Sequence, residues 1–431
     1  MGDPLKMPIQ VNPISPQSGH QSGQAKPGHA KLGRTKPGRT KQVAITLSVF
    51  LLSLTGCRSV SDDDLPIVPL QAWSAAQTQG KLQPFPPKVT NRLQRLLNRN
   101  VGADQLPGVV LHVATSDGVW MSAAGTANRT DKTLLKPTDR FRIANLTELF
   151  VSVVCLQLVE DGKIDLDARM SSYLPKPVMA KLKNSKSVTV RQLLNHTSGL
   201  AKPDAQAFKQ AILANPQRDW TAEKVLNLLP TRELAVPNDS FFYASTNYLL
   251  LEVIVEQVTG QPLVNVLRDR IFNPLKLNNT FLERREPIPG GFVQGYQDWQ
   301  GQGKLENITR PLINMGLGLG DAGIVSNAPD LTRFFQSLFA GDTLLYASSL
   351  NQMLTLTDDG KSGYGLGIRH ILTPWGEAWA QTGTGNGFSS IVLYLPVHDL
   401  TIVVWTNDGD REDQPFEIAE KSLDIILGEP P

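Results

Sequence analysis

Phe141-Arg142-Ile143-Ala144-Asn145-Leu146-Thr147-Glu148-Leu149-Phe150 opens a helical run that continues to Glu160 and stops at Asp161-Gly162. Asparagine is a strong N-cap residue, and a glutamate three positions later completes a capping box, together worth roughly 1 kcal/mol of helix stability. A carboxylate in the first turn also suits the positive end of the helix dipole. The residues alone predict a helix from about Leu146 to Glu160, capped by Asn145 and reinforced by Glu148.

Working outward, Val89, Leu93, Leu96 and Leu97 fall on one helical face and mark the start of the folded body. Val109 to Thr115 and Val119 to Ala124 flank Ser116-Asp117-Gly118, which reads as a hairpin. From residue 165 to 310 the chain is mostly helical, punctuated by Pro and Gly. Ala378 to Thr382, Ser389 to Leu395 and Leu400 to Trp405 are strand-like, and an amphipathic helix from Phe416 to Leu427 closes the chain. Strands at both ends with helices between predict an α/β chain of the α+β type. Its antiparallel sheet would come from residues 89–164 and 311–431, flanked by helices, with a helical subdomain from 165–310.

Further segments stand out: Val190 to Leu200 with its His196-Thr197-Ser198-Gly199 turn, Phe242 to Gly260, Asn273 to Leu277, Ala322 to Leu331, and Tyr364-Gly365-Leu366-Gly367. Together with the opening stretch they resemble the serine β-lactamase/penicillin-binding-protein superfamily of class C β-lactamases, D-alanyl-D-alanine carboxypeptidases and esterases. The resemblance covers nearly everything from Val89 onward and implies a β-lactamase/transpeptidase-like fold. It also implies three motif positions. The family's Ser-x-x-Lys falls on Asn145 and Glu148, its Tyr-x-Asn on Tyr243-Ala244-Ser245, and its Lys/His-Thr-Gly on Gln381-Thr382-Gly383.

Acyl transfer needs an activated hydroxyl, a base beside it, and donors for the developing oxyanion. Ser-x-x-Lys occurs nowhere in the chain. Thr-x-x-Lys occurs at Thr78/Lys81, Thr133/Lys136 and Thr221/Lys224; the first two lie in irregular segments and the third reads as a helix N-cap. Against the family pattern, Tyr243, Thr382 and Gly383 are kept, while the serine, both cations and the amide at Ser245 are lost. The resemblance therefore implies a retained scaffold and a lost reaction: a pseudoenzyme that binds cell-envelope material, a cell-wall glycan or peptide, or an envelope protein. The alternative is a working hydrolase in which Tyr243 and Glu148 drive a water nucleophile. A third reading has the cleft filled and an exposed face carrying the function. Exchanging lysine for Glu148 and the strand cation for Gln381 predicts a cleft that disfavours carboxylates.

In the family resembled, the His-Thr-Ser-Gly-Leu run is a structural turn after a helix, so the resemblance implies that His196 is a satisfied scaffold histidine. The six histidines show no ligand spacing, so no metal or other cofactor is expected. Gly318-Leu319-Gly320-Asp321-Ala322-Gly323 spells Gly-x-Gly-x-x-Gly but lacks the preceding strand of a βαβ unit.

The formal charge of +2 is unevenly placed. Residues 1–56 hold seven Lys/Arg against Asp3 alone; the remainder carries 35 basic and 39 acidic side chains, a net −4, with no basic stripe for nucleic acid. Residues 1–42, rich in Pro, Gly, Ser, Gln and Lys, read as disordered. The apolar run Val43 to Leu54 is short for a membrane span and ends in Leu54-Thr55-Gly56-Cys57, which resembles a bacterial lipobox. This predicts a signal peptide to residue 56, lipidation of Cys57, a tether over 57–88 and a domain over 89–431, held by the lipid bilayer on the outer-membrane, periplasmic or other extracytoplasmic side. With Cys57 lipidated, Cys155 has no disulfide partner and reads as a buried apolar residue.

Overall fold

The computed structural model describes residues 85–102, 105–182, 185–215, 218–229, 240–309, 317–357 and 363–428. The leader, Cys57, the Thr78/Lys81 pair and the tether up to residue 84 lie outside the described residues.

A helix at Pro87–Arg99 begins with proline in its first turn, where no backbone donor is lost. Then come β1 (Gly108–Ala114), β2 (Val119–Asn128), β3 (Thr133–Leu134) and β4 (Phe141–Arg142). The middle of the chain adds only short strands, β5 (Phe281–Leu282), β6 (Tyr296–Gln297), β7 (Glu306–Asn307) and β8 (Ile324–Ser326). The C-terminal part returns with β9 (Arg369–Thr373), β10 (Gly376–Gly385), β11 (Phe388–Leu395) and β12 (Leu400–Thr406).

Seven of these form one antiparallel sheet in the order β3-β2-β1-β12-β11-β10-β9. The β1–β2 turn is the expected hairpin, closed by Thr115 N–H donating to Gly118 O at 2.9 Å. Both ends of the domain thus meet at β1 and β12, with Val109 opposite Thr406 and Val113 opposite Ile402.

Strands β1, β11 and β12 are buried on both faces. Because side chains alternate along a strand, Val109, Leu111 and Val113 join Leu93 and Leu97 of the first helix and Ile418 and Leu423 of the last helix, Gln414–Leu427. Val110 faces the other way, into the larger core with Val392, Val403 and Trp405. That core is built around the helix Thr147–Glu160, which is buried on nearly every side, as an all-round apolar helix must be. The central helix and the sheet therefore pin the residues just before Thr147, Ile143 to Leu146, against β10, and this contact positions the site.

The capping expectation at this helix fails. The N-cap position is Leu146, with no side-chain cap, and Asn145 sits one residue earlier in a 3-10 turn spanning Ala144–Leu146. Its side chain is drawn away from the helix end by a tertiary partner. By contrast Thr221 caps its helix as expected, accepting from Lys224 N–H at 3.3 Å.

Candidate functional site

Three of the motif positions are bonded to one another. Asn145 Nδ2 donates to Tyr243 Oη at 2.5 Å, and Tyr243 Oη donates to Glu148 Oε1 at 2.7 Å. Asn145 is aimed there by its neighbour Ala144, a non-glycine residue at φ +48°. Such left-handed strain persists only where surrounding structure fixes it, and it gathers at functional sites.

Glu148 is fully buried. Burial holds its carboxyl well above the usual carboxylate range; the Tyr243 hydrogen bond and the charges of Arg369 and Lys202 only partly offset this. Burial likewise pushes the Tyr243 hydroxyl well up. Glu148 therefore holds a proton more tightly than an exposed carboxyl does, and the Tyr243 hydroxyl gives its proton up less readily than a free phenol.

His196 closes the far side of this group, at φ +59° in its turn. Its Nδ1 accepts from Ala244 N–H at 3.4 Å and lies 2.9 Å from Asn247 Nδ2, whose Oδ1 accepts from Ser198 Oγ at 2.6 Å. With Nδ1 an acceptor, the proton of the neutral ring is on Nε2, which points at Glu148 Oε2 from 3.4 Å. Neither facing atom has a well-formed hydrogen bond. Burial first, then the charges of Arg369 and Lys202, hold the imidazole well below its ordinary pKa. The scaffold reading of His196 thus needs amending: one nitrogen is satisfied, and the other faces the carboxyl at the lysine position.

The remaining motif positions behave differently. Gln381 is buried on β10, and its Nε2 donates to Tyr364 Oη and to Gly367 O, each at 3.1 Å. Where the family would present a cation, this side chain is an internal strut. Gly383 lies so close to the turn before Asn145 that a Cβ there would stand 2.0 Å from Ile143 O. The half-buried hydroxyl of Ser245 makes no hydrogen bond among the described residues. Among those residues no lysine amine is hydrogen-bonded to a hydroxyl; Lys209 and Lys224 bond backbone carbonyls instead.

Sequence reasoning missed three charged groups near this cluster. Lys202 Nζ lies 5.1 Å from the Tyr243 ring centre, and Arg369 lies 5.1 Å from that of Tyr364. Asp321 is half-buried, and burial together with the charge of Glu148 raises its carboxyl to about 7. The Gly-x-Gly-x-x-Gly spelling around Asp321 is a compact loop leading into β8, held by Gly320 N–H donating to Glu252 Oε2 at 2.8 Å.

The model of the family described as Beta-lactamase matches residues 93–424. The chain is 26% identical over 360 residues to a penicillin-binding protein of Bacillus subtilis (strain 168), covering 78% of this chain and 76% of that one. It is 25% identical over 359 residues to a putative D-alanyl-D-alanine carboxypeptidase of Escherichia coli (strain K12), covering 74% and 82%. A solved D-stereospecific amidohydrolase from Streptomyces sp. superposes with a TM-score of 0.67 at 26% identity, covering 79% of this chain and 99% of that one.

Proposed function

The chain belongs to the beta-lactamase family, and from that premise we propose that it is a non-catalytic member, which uses the family's cleft to hold a ligand or partner of the cell envelope instead of cleaving it. One observation carries this reading. The chain of hydrogen bonds Asn145–Tyr243–Glu148 occupies the nucleophile and base positions with an amide and a fully buried carboxyl. An amide is no nucleophile, and a carboxyl with no exposed surface whose Oε1 already accepts from Tyr243 has no open path to a substrate proton.

The same burial weighs against a Glu148-activated water. A general base must lie within hydrogen-bond reach of the proton it removes, and Glu148 has no exposed surface. Its Oε1 is committed to Tyr243 and its Oε2 faces His196. We further propose, from Leu54-Thr55-Gly56-Cys57, that the protein is an exported lipoprotein anchored through Cys57. Among the described residues no helix is long and apolar enough to cross a membrane.

The test is intact-mass measurement and turnover on purified protein incubated with a fluorescent penicillin and with a chromogenic ester. No adduct and no turnover are expected. A stable adduct on Tyr243 or Ser245, or turnover abolished by Glu148→Gln, overturns the non-catalytic reading. For the anchor, Cys57→Ser should move the protein from the membrane to the soluble fraction.

A further inference from the structure

We propose that one end of the large sheet, built from the turns at 115–118, 373–376 and 396–399, is a bilayer-contacting surface that seats Leu372 and Val397 among zwitterionic lipid headgroups. The proposal rests on the anchor reading above and gives the anchored domain an orientation.

Strand register brings the three turns to one end. Trp379 stands opposite Tyr394, Tyr394 opposite Thr401, Thr401 opposite Ala114, and Ala114 opposite Val119. From that row β10 leads back into the 373–376 turn, β11 runs into β12 through 396–399, and β1 into β2 through 115–118. Two contacts tie the turns to the last helix. His398 Nε2 lies 3.1 Å from Trp375 O, and Trp375 Nε1 donates to Gly428 O at 3.2 Å, just past Leu427.

The chain enters the domain at the same end. The first helix leaves at the other one, where Leu106 N–H donates to Asn100 O at 3.1 Å just before β1. Midway along it, Gln94 Nε2 donates to Ala123 O at 3.4 Å. Phe85 lies nine residues before Gln94, roughly 13 Å back at about 1.5 Å per helical residue. Val119 lies four residues before Ala123, also roughly 13 Å back at about 3.3 Å per strand residue. Phe85 is therefore level with Val119. Residues 58–84, which link Cys57 to Phe85, join the domain where the turns meet.

This end is also apolar at its tips. Leu372 and Val397, each 76% exposed, are the most exposed large apolar side chains among the described residues, and Val119 is exposed beside them in the register. Trp375 is half-buried, with the amphipathic ring that favours a membrane interface. So few side chains make a weak contact in free solution. A lipid on Cys57 makes the same contact intramolecular, and a weak surface is then enough.

Charge selects the lipid. Pro374, Trp375, Glu417, Glu420, Lys421 and Asp424 line an open hollow of about 410 Å³. Its lysine is already paired with Glu417 at 3.8 Å. The tips add Asp117, Glu377 and Asp399, against Lys88 in the first turn of the first helix. Such a rim repels anionic lipid, whereas an ammonium headgroup is attracted by carboxylates and by an indole face. The cleft stays clear of the lipid: Gln381 and Gly383 lie five and seven residues along β10 from Gly376, roughly 17 and 23 Å at about 3.3 Å per residue.

The experiment reconstitutes the purified full-length lipoprotein into vesicles of brominated phosphatidylcholine and follows tryptophan quenching. Trp73→Phe is the background, since that residue lies in the tether. The background protein should be quenched, and Trp375→Phe should remove most of the quenching. Leu372→Asp with Val397→Asp should abolish it while the protein still floats with the vesicles. Leu134→Asp, at a 72% exposed position on β3, should leave it unchanged. Brominated phosphatidylglycerol should quench less. Thermal melts check folding, and the aspartate pair keeps the test open if Trp375→Phe melts early. No quenching of the anchored protein, quenching that survives the aspartate pair, or stronger quenching by phosphatidylglycerol would overturn the proposal. A dimer dissolved by the aspartate pair would also overturn it, giving the patch to a second copy of the chain. Intact mass without diacylglycerol on Cys57 would sink the anchor reading alone; sedimentation of the full chain with phosphatidylcholine vesicles, and its loss in the aspartate pair, then still decides the surface.

Discussion

Tyr243 Oη donates to Glu148 Oε1 at 2.7 Å while accepting from Asn145 Nδ2 at 2.5 Å, so one phenol joins the two positions where the family keeps its serine and lysine. Removing that hydroxyl orphans a buried acid and an amide together. An unsatisfied buried polar group costs about 1–3 kcal/mol. Tyr243→Phe should therefore lower stability in urea unfolding by about that amount. A loss no larger than that of an ordinary surface substitution would mean that the phenol is not bonded as described.

The same convergence predicts that the reaction can be rebuilt. The side chains at 145 and 148 already meet within hydrogen-bond reach of Tyr243 Oη. Asn145→Ser with Glu148→Lys should take up fluorescent penicillin slowly, with label on position 145 alone. The new amine would face His196 Nε2–H, donor against donor, where Oε2 now stands. The double variant should accordingly melt below wild type, and adding His196→Gln, whose amide can turn an oxygen toward the amine, should recover part of the loss. Absence of label in a folded double variant would indicate a cleft closed to substrate.

The elements that depend on local chemistry were legible in the sequence: the Ser116-Asp117-Gly118 hairpin, the helix Thr147–Glu160, β11 and β12, and the final helix. Asn145 was misread because capping is a local rule, and Tyr243, 98 residues away, competes for its amide. Gln381 was identified as a lost cation, but its inward role depends on Tyr364 and Gly367, which only the folded sheet brings to it. Lys202 and Arg369 carried no signal at all, and Asp321 only the Gly-x-Gly-x-x-Gly spelling around it. Their neighbours at the site come from segments far apart in the chain, Tyr243 for Lys202 and Tyr364 for Arg369.

Buried acids set the pH dependence of stability. A carboxyl whose pKa is raised on folding contributes stability that is fully present below its unfolded pKa and is lost as pH rises through the folded value. Burial raises Glu252 from 4.5 to about 8 and Asp321 from 3.8 to about 7. His112, lowered by burial to about 4, and His196, also lowered, work in the opposite sense: their contribution is complete above 6.5 and fades as pH falls. Above pH 6.5 only the acids remain, so the melting temperature should drop between pH 6.5 and 8. Glu252→Gln should flatten that limb, since its amide cannot ionise. A flat wild-type profile over this window would show that these acids are not held neutral.

Gly383 tests whether the surviving Thr-Gly pair is a relic of chemistry or a packing device. A Cβ at 383 would meet Ile143 O at 2.0 Å and Ser390 Oγ at 2.8 Å. The hydroxyl could rotate away, but the carbonyl cannot easily retreat: Ile143 N–H is bonded to Ile324 O at 3.0 Å, and Ile143 O accepts from Leu146 N–H at 3.2 Å. That second bond closes the strained turn carrying Asn145. Gly383→Ala must push β10 off the turn, at a cost of about 3 kcal/mol for overpacking. It should also loosen the Asn145–Tyr243 bond, seen as a shifted Tyr243 resonance or faster hydrogen exchange in the turn. Thr382→Val is the control, because the half-buried Thr382 hydroxyl makes no hydrogen bond among the described residues and its loss should change stability by no more than about 0.5 kcal/mol. If the alanine variant is as stable as the valine one, the glycine is not there for space. A large gap between them means that the strand must hug the turn whether or not a serine stands on it, which would account for a motif whose packing half outlived its catalytic half.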